Sequence, residues 1–101
     1  MPHVMVRYRV HADRVAENEE LVRAVYDELA ASEPAGLHYA TFKLPDGVTF
    51  VHIARHDEPN PLSGVAAFQR FQEGIKDRCA EPPVVAQLDE IGSYRLLGAE
   101  Q

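Results

Sequence analysis

From His3 to Val10 the chain alternates, with Val4, Val6, Tyr8 and Val10 on one side and Met5, Arg7 and Arg9 on the other. This is the period of a half-buried strand. The period then lengthens: Val15, Val22, Val25, Tyr26 and Leu29 fall on one helical stripe, with Leu21 at its edge. Asp13 is placed to cap this helix, Glu17, Glu19 and Glu20 put negative charge near its start, and Glu19 and Arg23 are spaced to pair. Pro34-Ala35-Gly36 ends it. Period two returns between Leu37 and His56, interrupted by Leu44-Pro45-Asp46-Gly47, which reads as a type I turn with Gly47 left-handed. With a three-residue loop Leu44 faces Val48, and counting outward pairs Phe42 with Phe50, Ala40 with His52 and His38 with Ala54. That register sets His38 and His52 on one face as diagonal neighbours; a two-residue turn at Asp46-Gly47 would put them on opposite faces. Both faces of the hairpin are substantially apolar, so both need cover.

Beyond the hairpin, residues 56–63 are a polar connection, and Asn60 or Ser63 is placed to cap a second helix. Its stripe is Val65, Phe68, Phe71, Ile75 and Cys79, with Lys76 and Arg78 near the C-terminal end, where positive charge is favoured. Pro82-Pro83 stops it. Val84 to Leu96 reads as a last strand with Gly92 as the place for a bulge, and residues 98–101 as a loose tail. The order β-α-β-β-α-β in so short a chain predicts an α+β, ferredoxin-like protomer: a four-stranded antiparallel sheet with both helices on one face. The other face is expected to be buried in an isologous homodimer; a distant partner protein would also satisfy the pattern.

With 101 residues the chain has room for one domain and a modest core. Ten Lys and Arg against sixteen Asp and Glu leave a net charge of -6, which argues against nucleic acid or an anionic membrane as the main partner. Cys79 is the only cysteine, so no intrachain disulfide and no zinc-type cluster is expected, and a reducing cytoplasm fits. The N-terminal stretch carries Arg7 and Arg9 and lacks a signal-peptide pattern, and no apolar run approaches the roughly 20 residues of a membrane span.

Polar residues on apolar faces mark the candidate chemistry. Asn18 sits between Val15 and Val22, and Gln72 between Phe68 and Ile75, so each helix offers a carboxamide toward the sheet. Two inward amides suggest a wet or ligand-filled cleft, unless each bonds nearby backbone or lies at the edge of its stripe. His52 and His38 are candidates to move a proton in that cleft, since imidazole titrates near neutrality; a structural, hydrogen-bonded histidine is the alternative. Tyr26 is the tyrosine expected to border the cleft. No nucleophile-elbow, P-loop, dinucleotide-binding or metalloprotease motif is present, and His56 with Asp57 and Glu58 reads as a solvated loop cluster, so no metal is expected.

The strand leading to a charged helix at Asp13, the hairpin strand GVTFVHIARH, the connection and the helix AFQRFQEGI together resemble the antibiotic biosynthesis monooxygenase family over nearly the whole chain. The resemblance implies a dimeric α+β barrel in which two sheets pack together, with a pocket in each subunit between helices and sheet. It implies either a cofactor-independent monooxygenase acting on a small aromatic or quinol-like compound or a haem-degrading enzyme. The haem branch relies on an Asn, His and Trp set, and this chain has no Trp. Where members often carry Glu then Trp in the second hairpin strand, the chain has Ala54, Arg55 and His56. In the oxygenase reading His52, with His38, assists proton removal, Asn18 and Gln72 orient the substrate's oxygens, and Phe50 and Phe68 exclude water. The alternative is a non-catalytic homodimer of the same fold that binds a small apolar molecule or serves in stress or assembly.

Overall fold

The computed structural model describes residues 3–94 and residue 96, so the tail at 98–101 lies outside the described residues. The elements are β1 (His3–Val10), α1 (Val15–Ser32), β2 (Leu37–Lys43), β3 (Thr49–His56), α2 (Ala66–Glu73), a single helical turn α3 (Ile75–Arg78) and β4 (Cys79–Leu88). The strands form one antiparallel sheet in the order β2-β3-β1-β4, the ferredoxin-like arrangement expected from the pattern. Val22 and Val25 of α1 and Ala67 and Phe71 of α2 meet Tyr8, Val10 and Phe50 in one buried cluster, so the helices share one face and the core lies between them and the sheet.

The hairpin register departs from the expected one by a residue. Lys43 pairs with Phe50, Thr41 with His52 and Tyr39 with Ala54, while His38 faces Arg55. The turn itself is as expected: the Gly47 amide donates to the Leu44 carbonyl (2.9 Å), and Gly47 has φ +78. What changes the count is Asp46. Its carboxylate accepts the amides of Val48 (3.0 Å) and Thr49 (2.9 Å) and the Thr49 hydroxyl (2.6 Å), which keeps Val48 in the loop and makes Thr49 the first paired residue. The Val48 carbonyl then accepts the Val10 amide of β1 (3.0 Å). Since side chains alternate, a one-residue slip exchanges the faces of β2 relative to β3. Tyr39 and Thr41 join His52 beneath the helices, and His38 turns to the opposite side of the sheet.

Helix α1 buries the predicted stripe, but Asp13 does not cap it: residues 12–14 form a short 3-10 turn and no side chain bonds the first amides of α1. Arg14 at its start instead pairs with Glu17 (2.6 Å), and Glu19 pairs with Arg23 (3.1 Å) as the spacing predicted and also with Lys43 (2.6 Å). Helix α2 is capped from outside its own segment. Glu28 of α1 accepts the amides of Ala66 (3.2 Å) and Ala67 (2.9 Å), tying the two helices together, while Asn60 caps the 3-10 turn over Pro61–Gly64 through the Leu62 amide. Gly36, with φ +75, is a strained place for any side chain, and a methyl there would also displace the Asp57 carboxylate.

The last strand is displaced from its expected place. β4 begins at Cys79, passes through Pro82-Pro83 and ends at Leu88, short of Gly92. It lies at the sheet edge against β1 alone, where a missing amide is tolerated, and its register with β1 shifts between Arg7 and Arg9 to absorb the prolines as a bulge. No described helix is long and apolar enough to cross a membrane.

Candidate functional site

Alternation along β3 points His52, Ala54 and His56 toward the helices, and the register places Tyr8 of β1 and Tyr39 and Thr41 of β2 around them. His52 is held by a phenol at each ring nitrogen: Tyr8 Oη lies 2.8 Å from Nε2, and Tyr39 Oη lies 2.6 Å from Nδ1, with Thr41 Oγ1 at 3.2 Å. The ring is 5 % exposed, and this burial lowers its pKa from 6.5 to about 4, so it is neutral at pH 7. Burial likewise raises Tyr8 and Tyr39 well above the usual phenol range, and both stay protonated.

Behind Tyr8 the polar chain continues to a buried cation. Asn18, completely buried, donates from Nδ2 to Tyr8 Oη (3.0 Å) and accepts at Oδ1 from Nε of Arg78 (3.1 Å). Arg78 is 1 % exposed, donates to the Phe71 carbonyl (2.6 Å) and stands 5.2 Å from the centroid of the Phe71 ring. Among the described residues no carboxylate is within ion-pair distance of it. The sequence placed Arg78 near the C-terminal end of the second helix, as a charge favoured there by the helix dipole. It turns inward instead, and the carbonyl, amide oxygen and aromatic face stand in for a counter-ion.

His52, Tyr39 and Tyr8 border a cavity of about 210 Å³ between the sheet and α2. Its walls are largely apolar, with Val4, Val6, Leu62, Phe68, Phe71 and Ile75, and its other polar groups are His56, Asn60 and Gln72. Among the described residues no Lys, Arg, Asp or Glu lines it, which disfavours a charged ligand. An apolar cavity of about 150 Å³ takes benzene, so this one suits about two fused rings. His56 is 7 % exposed and donates from Nδ1 to the Asp57 carbonyl (3.0 Å), so in the singly protonated tautomer that this bond selects Nε2 is the acceptor. Among the described residues no three His, Cys, Asp or Glu side chains converge as a metal-ligand group.

Of the residues the sequence singled out, His52, Phe68 and Gln72 line the cavity, Gln72 as an exposed residue. Asn18 and Phe50 stand behind its wall: Asn18 bonds Tyr8, and Phe50 stacks on the Tyr8 ring at 5.6 Å. Tyr26 stands behind Tyr39, stacked at 5.4 Å, with its hydroxyl 2.8 Å from Thr41 rather than in the cavity. His38 is on the far side of the sheet, so the two histidines paired by the expected register are separated. The sequence reading ranked Tyr8 and Tyr39 below Tyr26 as phenolic donors, set His56 in a solvated loop where the structure buries it in β3, and gave Arg78 no place in the site. Period two from His52 leads directly to His56, and β1 alternation had already put Tyr8 on the apolar side. Tyr39 depended on the register, and nothing local in the sequence marked Arg78 as buried.

No protein-family model matches the chain, and no curated protein does. Solved structures do. A crystal structure described as an antibiotic biosynthesis monooxygenase is similar at 20% identity with a TM-score of 0.72, over 91% of this chain and 100% of that one. A Nitrosomonas europaea protein provisionally given the same description is similar at 15% identity and TM-score 0.74, with the same coverage. A variant of SnoaB, a cofactor-independent oxygenase from Streptomyces nogalater, is similar at 14% identity and TM-score 0.64, over 91% of this chain and 94% of that one. The chain therefore has the fold of the antibiotic biosynthesis monooxygenase structures.

Proposed function

We propose that the chain acts as a single-domain, homodimeric oxygenase on a small, neutral aromatic or quinol-like compound, without metal or flavin. The observation that carries this reading is the apolar cavity of about 210 Å³ with two imidazoles and two phenols in its wall. The fold shared with SnoaB, a cofactor-independent oxygenase, supports it. In this reading Phe68 and Phe71, stacked on each other in the cavity wall, pack against the ring system and keep bulk water away. Both nitrogens of His52 are already engaged, so His52 orients Tyr39 and Tyr8, and the proton goes to Nε2 of His56. Ionisation makes the ring electron-rich enough to react with dioxygen: one oxygen atom goes to a ring carbon and the other leaves as water, with both electrons drawn from the substrate. His38 enters no step.

The homodimer rests on the sheet face away from the helices, where Met5, Ala40, Phe42, Val51, Ile53 and Val84 lie together and Phe42 and Val84 are 45% and 63% exposed. A second copy of the same face is the self-complementary cover for such a surface.

Oxygen uptake with a naphthalene hydroquinone, in excess of spontaneous oxidation and without added metal or flavin, is the test. His56→Phe is expected to lower kcat by about 10²-fold or more, the contribution of a positioned base. Uptake unchanged in that variant removes His56 from the reaction, and no uptake with any hydroquinone of this size sinks the oxygenase reading. The saturation of His52 by two phenols favours a second reading, capture without turnover, which predicts saturable binding of the same compounds and no oxygen consumption.

A further inference from the structure

The hydrogen bonds running from Arg78 to the cavity take their direction from the guanidinium. A guanidinium can donate and cannot accept, so Arg78 Nε fixes the amide of Asn18 with its oxygen toward Arg78 and its NH2 toward Tyr8. Tyr8 Oη, already accepting from Asn18, has its single proton to give, and its other partner is Nε2 of His52 at 2.8 Å. Nε2 is thus the unprotonated nitrogen, and in a neutral ring the proton sits on Nδ1. Nδ1 then donates to Tyr39 Oη at 2.6 Å. Thr41 Oγ1 stands 3.2 Å from the same Nδ1 and 2.8 Å from the Tyr26 hydroxyl. With Nδ1 donating, the O–H of Tyr39 is the proton left to give at the end of this series, and Tyr39 lines the cavity.

We propose that the cavity is a carbonyl-recognition site: Tyr39 donates its hydroxyl proton to a ketone or quinone oxygen of a neutral bicyclic ligand, and Arg78, through Asn18, Tyr8 and His52, enforces that direction. The proposal rests on the reading of this cavity as the ligand site and adds the polarity of the ligand. Tyr39 touches the ligand; Arg78, Asn18, Tyr8 and His52 are positioning residues. Buried and without a carboxylate partner among the described residues, Arg78 is a costly group to keep, and a one-way hydrogen-bond series is a property that a neutral donor-acceptor side chain in its place would not impose.

The direction is reversible by one isosteric change. In Asn18→Asp the carboxylate accepts from both Arg78 and Tyr8, Tyr8 stops donating to His52, the ring proton moves to Nε2, and Tyr39 donates inward to Nδ1, leaving none for the ligand. The test uses 1-tetralone and tetralin, which differ only by the carbonyl, with the ring-nitrogen NMR shifts of His52 as a second readout. In the wild type the shifts are expected to show a protonated Nδ1 and an unprotonated Nε2. The two nitrogens exchange in Asn18→Asp. The tetralone-to-tetralin affinity ratio is expected to fall about tenfold in both Tyr39→Phe and Asn18→Asp, through weaker tetralone binding, because a buried carbonyl is left unpaired. A protonated Nε2 in the wild type overturns the proposal, as does a ratio that survives in Tyr39→Phe, or failure of either probe to bind. If Asn18→Asp does not fold, the wild-type shifts and Tyr39→Phe decide. Retained tetralone selectivity with no oxygen uptake from any hydroquinone leaves this inference standing and removes the oxygenase reading.

Discussion

Acid is expected to weaken this protein through His52 as the pH falls below 6.5. The unfolded chain binds a proton at His52 near pH 6.5, whereas the folded ring resists protonation until about pH 4, because charging it inside the core forfeits its hydration. Between those values the unfolded state holds the extra proton, so stability is complete above pH 6.5 and falls as the pH drops toward 4. At about 1.4 kcal/mol per pH unit the full effect is about 3 kcal/mol, of which about 2 kcal/mol is lost between pH 7 and pH 5. Asp46, Glu17 and Glu19 also have lowered pKa values, from hydrogen bonds to Thr49, Arg14 and Lys43 respectively, and their contributions, lost as the pH falls through the carboxylate range, are common to the wild type and a His52 variant. Urea unfolding of the wild type and His52→Gln at pH 7 and pH 5 isolates the histidine, since Gln offers a donor and an acceptor but no titration. The wild type is expected to lose about 2 kcal/mol more than the variant over that interval. Equal losses in the two proteins would refute the claim that burial keeps His52 neutral.

Two further outcomes follow from packing. Glu28→Ala strips α2 of the carboxylate that holds the Ala66 and Ala67 amides, and is expected to cost about 1 kcal/mol, read as a lower urea midpoint with the slope unchanged. An Ile53→Glu substitution on the open sheet face is expected to shift the species in sedimentation velocity from dimer to monomer at micromolar concentration, with helical circular dichroism retained; a wild type that sediments as a monomer would dispose of the dimer directly.

The order of elements was legible in the chain because the hydrophobic period changes where the structure changes. The alternation of Val4, Val6, Tyr8 and Val10, the stripe from Val15 to Leu29 and the Leu44–Gly47 turn each depend on neighbours a few residues away. The buried amide of Asn18 and the cavity-lining His52 and Phe68 were legible for the same reason. Tertiary structure decided the rest. Asp46, by binding the Val48 and Thr49 amides, shifted the hairpin by one residue, and that shift separated His38 from His52 and delivered Tyr39 to the site. The edge position of β4 made Pro82-Pro83 tolerable inside a strand, and the burial of Arg78 became visible only once Asn18 and the Phe71 carbonyl were in place to receive it. Local periodicity says which side of an element is apolar; which residues of different elements meet there depends on register and on partners far along the chain, whose energies no single segment contains.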